Sequence, residues 1–183
     1  PDLAALQEAD ARIDSLLEEL GVKRKLQKEL RTALCTQADP DAGHAGYQGR
    51  NRVDSLGLSV SYAGALSVAP HRQRRFIRRI AARLDGAGPT LAALSAVPRA
   101  RELVAATNVM LDPKNPFAVS GLVSLLDSTT DRGVLKDLDF RIARKIVQVA
   151  TGRPGQRGFR RLPPAVLYNE MGLASLVNMR NLR

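Results

Sequence analysis

The chain has no tryptophan, one cysteine, two histidines and only 4% aromatic residues across its 183 positions. Each shortage removes a class of explanation. A core poor in rings is built from Leu, Val, Ile and Ala, a composition that favours helices. The lone Cys35 excludes an internal disulfide and suits a reducing compartment. His44 and His71 have no metal-ligand spacing around them, so a zinc site lacks its donors. Acids are short as well, with 18 Asp and Glu against 28 Lys and Arg. A two-metal polymerase or nuclease needs clustered carboxylates holding ions about 3.5–4 Å apart. The acids here are scattered. Asp137 and Asp139, two apart on a helix, point to different faces. Asp39 and Asp41 sit among Pro and Gly and read as turn formers. Ser55, Ser59 and Ser61 have no partnered His, and no G-K-[ST] phosphate loop occurs. No catalytic residue, metal ligand or cofactor is therefore assigned. No apolar run approaches the ~20 residues of a membrane span, so no membrane partner is expected.

What is present is positive charge. The formal net charge is +10 and the pI near 10.6, a balance that points to nucleic acid or another anionic surface. The charge is concentrated. Arg72, Arg74, Arg75, Arg78, Arg79 and Arg83 fall on one helical stretch with no acid before Asp85. Like charges at that density repel unless an anion neutralises them, and guanidinium groups grip phosphate through a fork of donors. The plainer reading is a solvated face, or ion pairs to Glu18, Glu19 or Asp54. A second cluster is Gly152 to Arg161, where Arg153, Arg157, Arg160 and Arg161 alternate with glycines. As a flexible Gly-Arg loop it can approach a phosphate closely; as a plain connector it does nothing. Lys23 and Lys25 form a third basic surface, for which a solvated face is the simple alternative.

Periodicity predicts the elements. Leu3, Leu6, Ile13, Leu16, Leu17 and Leu20 repeat at three-to-four spacing, giving a first helix that stops at Gly21. Val22 to Leu34 also has helical spacing, and Thr36 to Gly49 reads as a Gly/Asp/Pro loop. Near-alternation through Leu56, Leu58, Val60 and Tyr62, then Ala63-Gly64, predicts an antiparallel hairpin between Val53 and Val68. Pro70 opens the arginine helix, with Phe76, Ile77, Ile80 and Leu84 as its apolar stripe, and Gly86 to Pro89 closes it. A short helix over Thr90 to Ala96, a break at Pro98 and a helix from Arg99 to Leu111 follow. Asp112 to Pro116 is a breaker, and Phe117 to Leu126 a weak helix capped by Asn115. After a turn at Asp127 to Gly133, Val134 to Thr151 is an amphipathic helix ended by Gly152. The Gly-Arg loop and a last element from Val166 to Leu182 complete the chain. The fold class expected is mainly α, a helical bundle with one small antiparallel β-hairpin. Residues 1–69 and 70–183 are the expected domains. Pro1-Asp2-Leu3 carries neither an initiator Met nor a signal pattern, and reads as the start of an ordered piece of a longer protein.

Several phrases are similar to reverse transcriptases of the retron, group II intron and non-LTR retroelement kind. I-D-S-L-L-E-E-L-G-V (Ile13 to Val22) resembles the helix after the palm's aspartate pair, and V-D-S-L-G-L-S-V (Val53 to Val60) the strand that follows it. P-H-R-Q-R-R-F-I-R-R-I (Pro70 to Ile80) resembles the start of the thumb. L-K-D-L-D-F-R-I-A-R-K-I, followed by L-P-P-A-V-L-Y-N-E-M-G-L-A-S-L, resembles a later non-LTR phrase in which a helix precedes a glycine-rich segment. Met171 stands where the first of a glycine pair would be, and no Y-x-D-D occurs. The resemblance covers about half the chain. It implies the end of a palm, a thumb and a helical extension that grip RNA or an RNA–DNA hybrid through backbone phosphates. A catalytic polymerase portion in the same or another chain would then supply the metal-binding aspartates. An intracellular setting, nucleus and cytoplasm not distinguished, follows from such partners. Two other readings stay open: a structural RNA-binding subunit of a ribonucleoprotein particle, and a basic module that meets an acidic protein.

Overall fold

The computed structural model describes residues 3–22, 32–34, 48–55, 57–112, 114 and 128–181. It is mainly helical with a small β element, the class expected from composition and periodicity. The chain divides into two compact units, one of Pro1–Val53 with Ser61–Ala63, the other of Asp54–Val60 with Gly64–Arg183.

In the first unit, helix α1 (Leu3–Glu19) ends where Gly21 takes a left-handed φ of 66°, as its apolar spacing predicted. Part of its apolar stripe is exposed, however: Ile13, Leu16 and Leu20 face outward, Leu20 being 74% exposed, while Leu17 is half-buried. Strand β1 (Thr32–Leu34) runs parallel to β2 (Gln48–Arg50), with Thr32 opposite Gln48 and Leu34 opposite Arg50. The helical spacing of Val22 to Leu34 therefore does not hold at its end. Ala33 and Leu34 favour helix, and that local preference is overridden by pairing with a strand distant in sequence. The Lys23–Lys28 stretch, the Pro113 to Pro116 breaker apart from Lys114, and the expected helix at Phe117 to Leu126 lie outside the described residues.

Strands β3 (Arg52–Ser55), β4 (Leu58–Ser61) and β5 (Leu66–Val68) form a sheet in that order. The predicted hairpin is its β4–β5 half, antiparallel with Leu58 opposite Val68 and Val60 opposite Leu66. Gly64, at φ 77°, makes the turn. The period of two identified the strand but not its inner face: Ser59 and Ser67 are buried, whereas Leu58 and Val60 are only half-buried and Tyr62 is exposed.

The helical unit is assembled around one long helix. Helix α4 (Arg132–Thr151) packs against α2 (Pro70–Ala87) and α3 (Ala96–Leu111), and against the short helices α5 (Gly155–Arg161) and α6 (Leu176–Asn181). Phe76, Ile80 and Leu84 of α2 meet Leu103, Val104 and Leu111 of α3 and Leu135, Leu138, Ile142 and Ile146 of α4 in a single core. Residues of this kind contribute about 1.5–3 kcal/mol each on full burial, and nearly all lie at the helical spacing seen in the sequence. Asp131 caps α4, its carboxylate accepting from the amides of Gly133 (2.9 Å) and Val134 (3.3 Å). The hairpin is tied to this start, because Leu66 exchanges hydrogen bonds with Thr130. The helix thus begins at Arg132, inside the stretch expected to be a turn.

Three further expectations are corrected. Pro98 does not break α3 but lies in its first turn, where its missing N–H leaves no bond unmade. The Thr90 to Ala96 segment is not a short helix: Thr90 to Ala93 is a run of turns, and Ala96 already belongs to α3. Its carbonyls are taken instead by Arg99, whose guanidinium donates to Leu91, Ala92 and Leu94, and also to Ala150 at the end of α4. The Gly-Arg loop is helix α5. Pro154 starts it, and the buried Gly158 lets it lie against α4. A Cβ on Gly158 would stand 2.7 Å from Val147 Cγ1 and collide with the Arg153 carbonyl.

Candidate nucleic-acid interface

The arginine helix is amphipathic for a simple reason: one side must enter the core. Phe76, Ile80 and Leu84 are buried and Ile77 is half-buried, as the stripe predicted. That places Arg72, Arg74, Arg75, Arg78, Arg79 and Arg83 outward, and all six are exposed. At ~100° per residue, Arg72, Arg75, Arg79 and Arg83 fall within roughly 80° of one another, while Arg78 stands about 60° and Arg74 about 100° beyond Arg75. The row is about 16 Å long. None of the six side chains forms an ion pair or hydrogen bond with another described residue of its unit, Asp54 included. Asp85, the helix's one acid, pairs instead with Lys145 of α4 at 2.8 Å. The face presents six cations with no partner among the described residues of their own unit.

Arg153, Arg157, Arg160 and Arg161 are exposed too, but on and beside a packed helix rather than a flexible loop. Arg160 and Arg161 occupy its last turn, where the helix dipole favours cations. Lys23 and Lys25 lie outside the described residues.

Sequence reasoning missed a buried polar joint behind these surfaces. Asp139, 8% exposed, projects from α4 to the start of α6. Its carboxylate accepts from the Leu176 amide at 2.8 Å and the Ser175 hydroxyl at 2.7 Å. Burial pushes its pKa above the ordinary carboxylate value, against the opposing pull of those hydrogen bonds. Tyr168 donates to the Asp139 backbone carbonyl at 3.1 Å. Burial first, and then the Asp139 charge, push its hydroxyl pKa up. On the other side Asn108 donates to the Gly172 carbonyl and accepts from the Ala174 amide, at 2.8 and 2.9 Å. Asp139 and Asn108 together fix residues 172–176. The signal available in the sequence was the pairing of L-D-F-R-I with A-S-L: the Asp of one phrase holds the Ser and Leu of the other. Asp137, two residues earlier, is exposed and pairs with Arg141 at 2.8 Å, so the two carboxylates do point apart.

No family model, curated protein or solved structure matches the chain. Among the described residues no group of three His, Cys, Asp or Glu is placed to hold a metal ion, and no helix is long and apolar enough to cross a membrane. What the surface can do is electrostatic. A duplex carries about one phosphate charge per 1.7 Å of axis with both strands counted, so a stretch as long as the ~16 Å arginine row holds roughly ten phosphates, of which one face of the duplex presents only a part.

Proposed function

We propose that this chain binds the backbone of RNA or an RNA–DNA hybrid, as the thumb-like, non-catalytic portion of a reverse transcriptase. The observation that carries the reading is the unpaired arginine face of α2, a rigid helix whose opposite face is locked into the core. A rigid row holds its charges together before the ligand arrives, so phosphate binding has less side-chain and backbone order to impose. The resemblance supplies the substrate class. It is supported by the Asp139–Ser175–Leu176 joint, which makes the two C-terminal phrases parts of one folded unit. The catalytic aspartates and the metal ions they hold belong to another portion of the polymerase.

Binding of this kind is sequence-tolerant and falls steeply with salt, by about 0.7 to 0.9 in logarithmic slope for each phosphate neutralised. The test is a salt titration with labelled duplex RNA, RNA–DNA hybrid and duplex DNA. Changing Arg72, Arg75, Arg79 and Arg83 together to Gln flattens the slope by roughly three on this reading. A slope that ignores those four residues refutes it. Weak nucleic-acid binding beside tight binding to one acidic protein favours the interaction-module alternative.

A further inference from the structure

Aromatic residues are few in this chain, but the fold gathers two of them at one surface. Phe140 of α4 and Phe159 of α5, nineteen positions apart, meet with ring centroids 5.6 Å apart at a tilt of 40°. Phe159 is half-buried, while Phe140 is 51% exposed. Phe140 also stands on a helical row. Lys136, Phe140 and Arg144 are four residues apart, one above the next at about 6 Å steps, and all three are exposed. Beside Phe140 an open groove of about 410 Å³ runs between α4 and the C-terminal segment, walled by Lys136, Pro164, Tyr168, Val177 and Asn178. Its walls are mostly apolar. The Asp139 carboxylate at its floor is engaged by Ser175 and Leu176. The Lys136 ammonium and the Asn178 side chain have no partner among the described residues.

We propose that this groove is a stacking site for an unpaired nucleobase of single-stranded nucleic acid, with Phe140 as the platform. A base has an apolar π-face that suits the ring and groove wall, and edge groups that the Asn178 amide can donate to or accept from. Its flanking phosphates are anions that Lys136 and Arg144 meet, one on each side of the ring. Neither an acidic peptide nor a second copy of the chain accounts for a cation, a ring and a cation in one row as directly. The site lies between α4 and the C-terminal segment, and no residue of the arginine row of α2 lines it. The inference rests on the nucleic-acid reading above and adds a single-strand site to its duplex-backbone face.

The absence of tryptophan makes the test direct, since Phe140→Trp creates a unique reporter. The whole chain is titrated with a blunt RNA–DNA hybrid and with the same hybrid bearing a short unpaired tail. The tail strengthens binding on the order of tenfold and quenches Trp emission in Phe140→Trp. In Phe140→Leu, which keeps apolar volume without a π-face, the gain from the tail is lost while blunt-hybrid binding and its salt slope persist. A tail that adds nothing, or adds as much in Phe140→Leu, or leaves the Trp emission unchanged, overturns the stacking site and leaves the α2 reading standing. Blunt-hybrid binding that is absent or indifferent to salt, beside a Phe140-dependent tail effect, overturns the α2 reading and leaves the stacking site standing. Self-association that depends on Phe140 and blocks the tail effect makes the patch an interface between copies and overturns the proposal.

Discussion

Replacing Asp139 by Ala removes the carboxylate that hydrogen-bonds the start of α6 to α4. Two donors lose their acceptor, the Leu176 amide at 2.8 Å and the Ser175 hydroxyl at 2.7 Å. The amide is buried, and an unsatisfied buried donor costs about 1–3 kcal/mol. The hydroxyl is partly accessible and can turn to water, so its loss adds less. Removing the carboxylate also relieves its own burial, which the raised pKa shows to be unfavourable to the charged form. The balance is a loss of about 2 kcal/mol, or roughly 8 °C in Tm for a helical unit of this size. Asp139→Asn keeps one oxygen for the Leu176 amide and costs about 1 kcal/mol. Asp137→Ala is the control, because Asp137 is exposed and its pair with Arg141 is worth at most about 1 kcal/mol. Denaturant unfolding followed by helical circular dichroism measures all three, and hydrogen exchange at residues 173–181 localises the loss. An Asp139→Ala variant no less stable than Asp137→Ala refutes the argument. The pH dependence is a second check with a definite sign. A carboxyl whose folded pKa lies above its ordinary 3.8 binds its proton more tightly when folded. Its contribution is full below 3.8 and is lost as pH rises through the folded pKa, so wild-type stability declines relative to Asp139→Asn across that window.

Other substitutions test the packing. Gly158→Ala forces a Cβ against the Arg153 carbonyl and Val147, and destabilises by about 1–3 kcal/mol. The same change at Gly86, where a Cβ meets nothing within 4 Å inside α2, stabilises by up to about 1 kcal/mol. Thermal melts of the pair check the opposite signs. Arg99→Lys is expected to lose nearly as much stability as Arg99→Ala, about 1–3 kcal/mol, because an ammonium cannot span carbonyls at Leu91, Ala92, Leu94 and Ala150. Full rescue by Lys in urea unfolding contradicts that account.

The amino-acid sequence by itself determined what depends on neighbours along the chain. Three-to-four spacing placed α1, α2 and α4. Gly21 and Gly152 stopped two of them in left-handed conformations, and Pro70 began the third. The outward direction of the six α2 arginines followed from Phe76, Ile80 and Leu84 alone, because a helix that buries one stripe exposes the other. Tertiary structure decided everything that depends on partners distant in sequence. Thr32–Leu34 became a strand because Gln48–Arg50 lay alongside it, and the hairpin turned Ser59 and Ser67 inward although its apolar residues alternate with them. The Gly-Arg segment became a helix because Gly158 admits the backbone to within packing distance of α4, a use of glycine that looks the same in sequence as flexibility. Asp139 became a joint, and Phe140 and Phe159 a pair, only when the chain returned to α4. Such contacts join residues 19 to 37 positions apart, and no local periodicity encodes a distance of that kind.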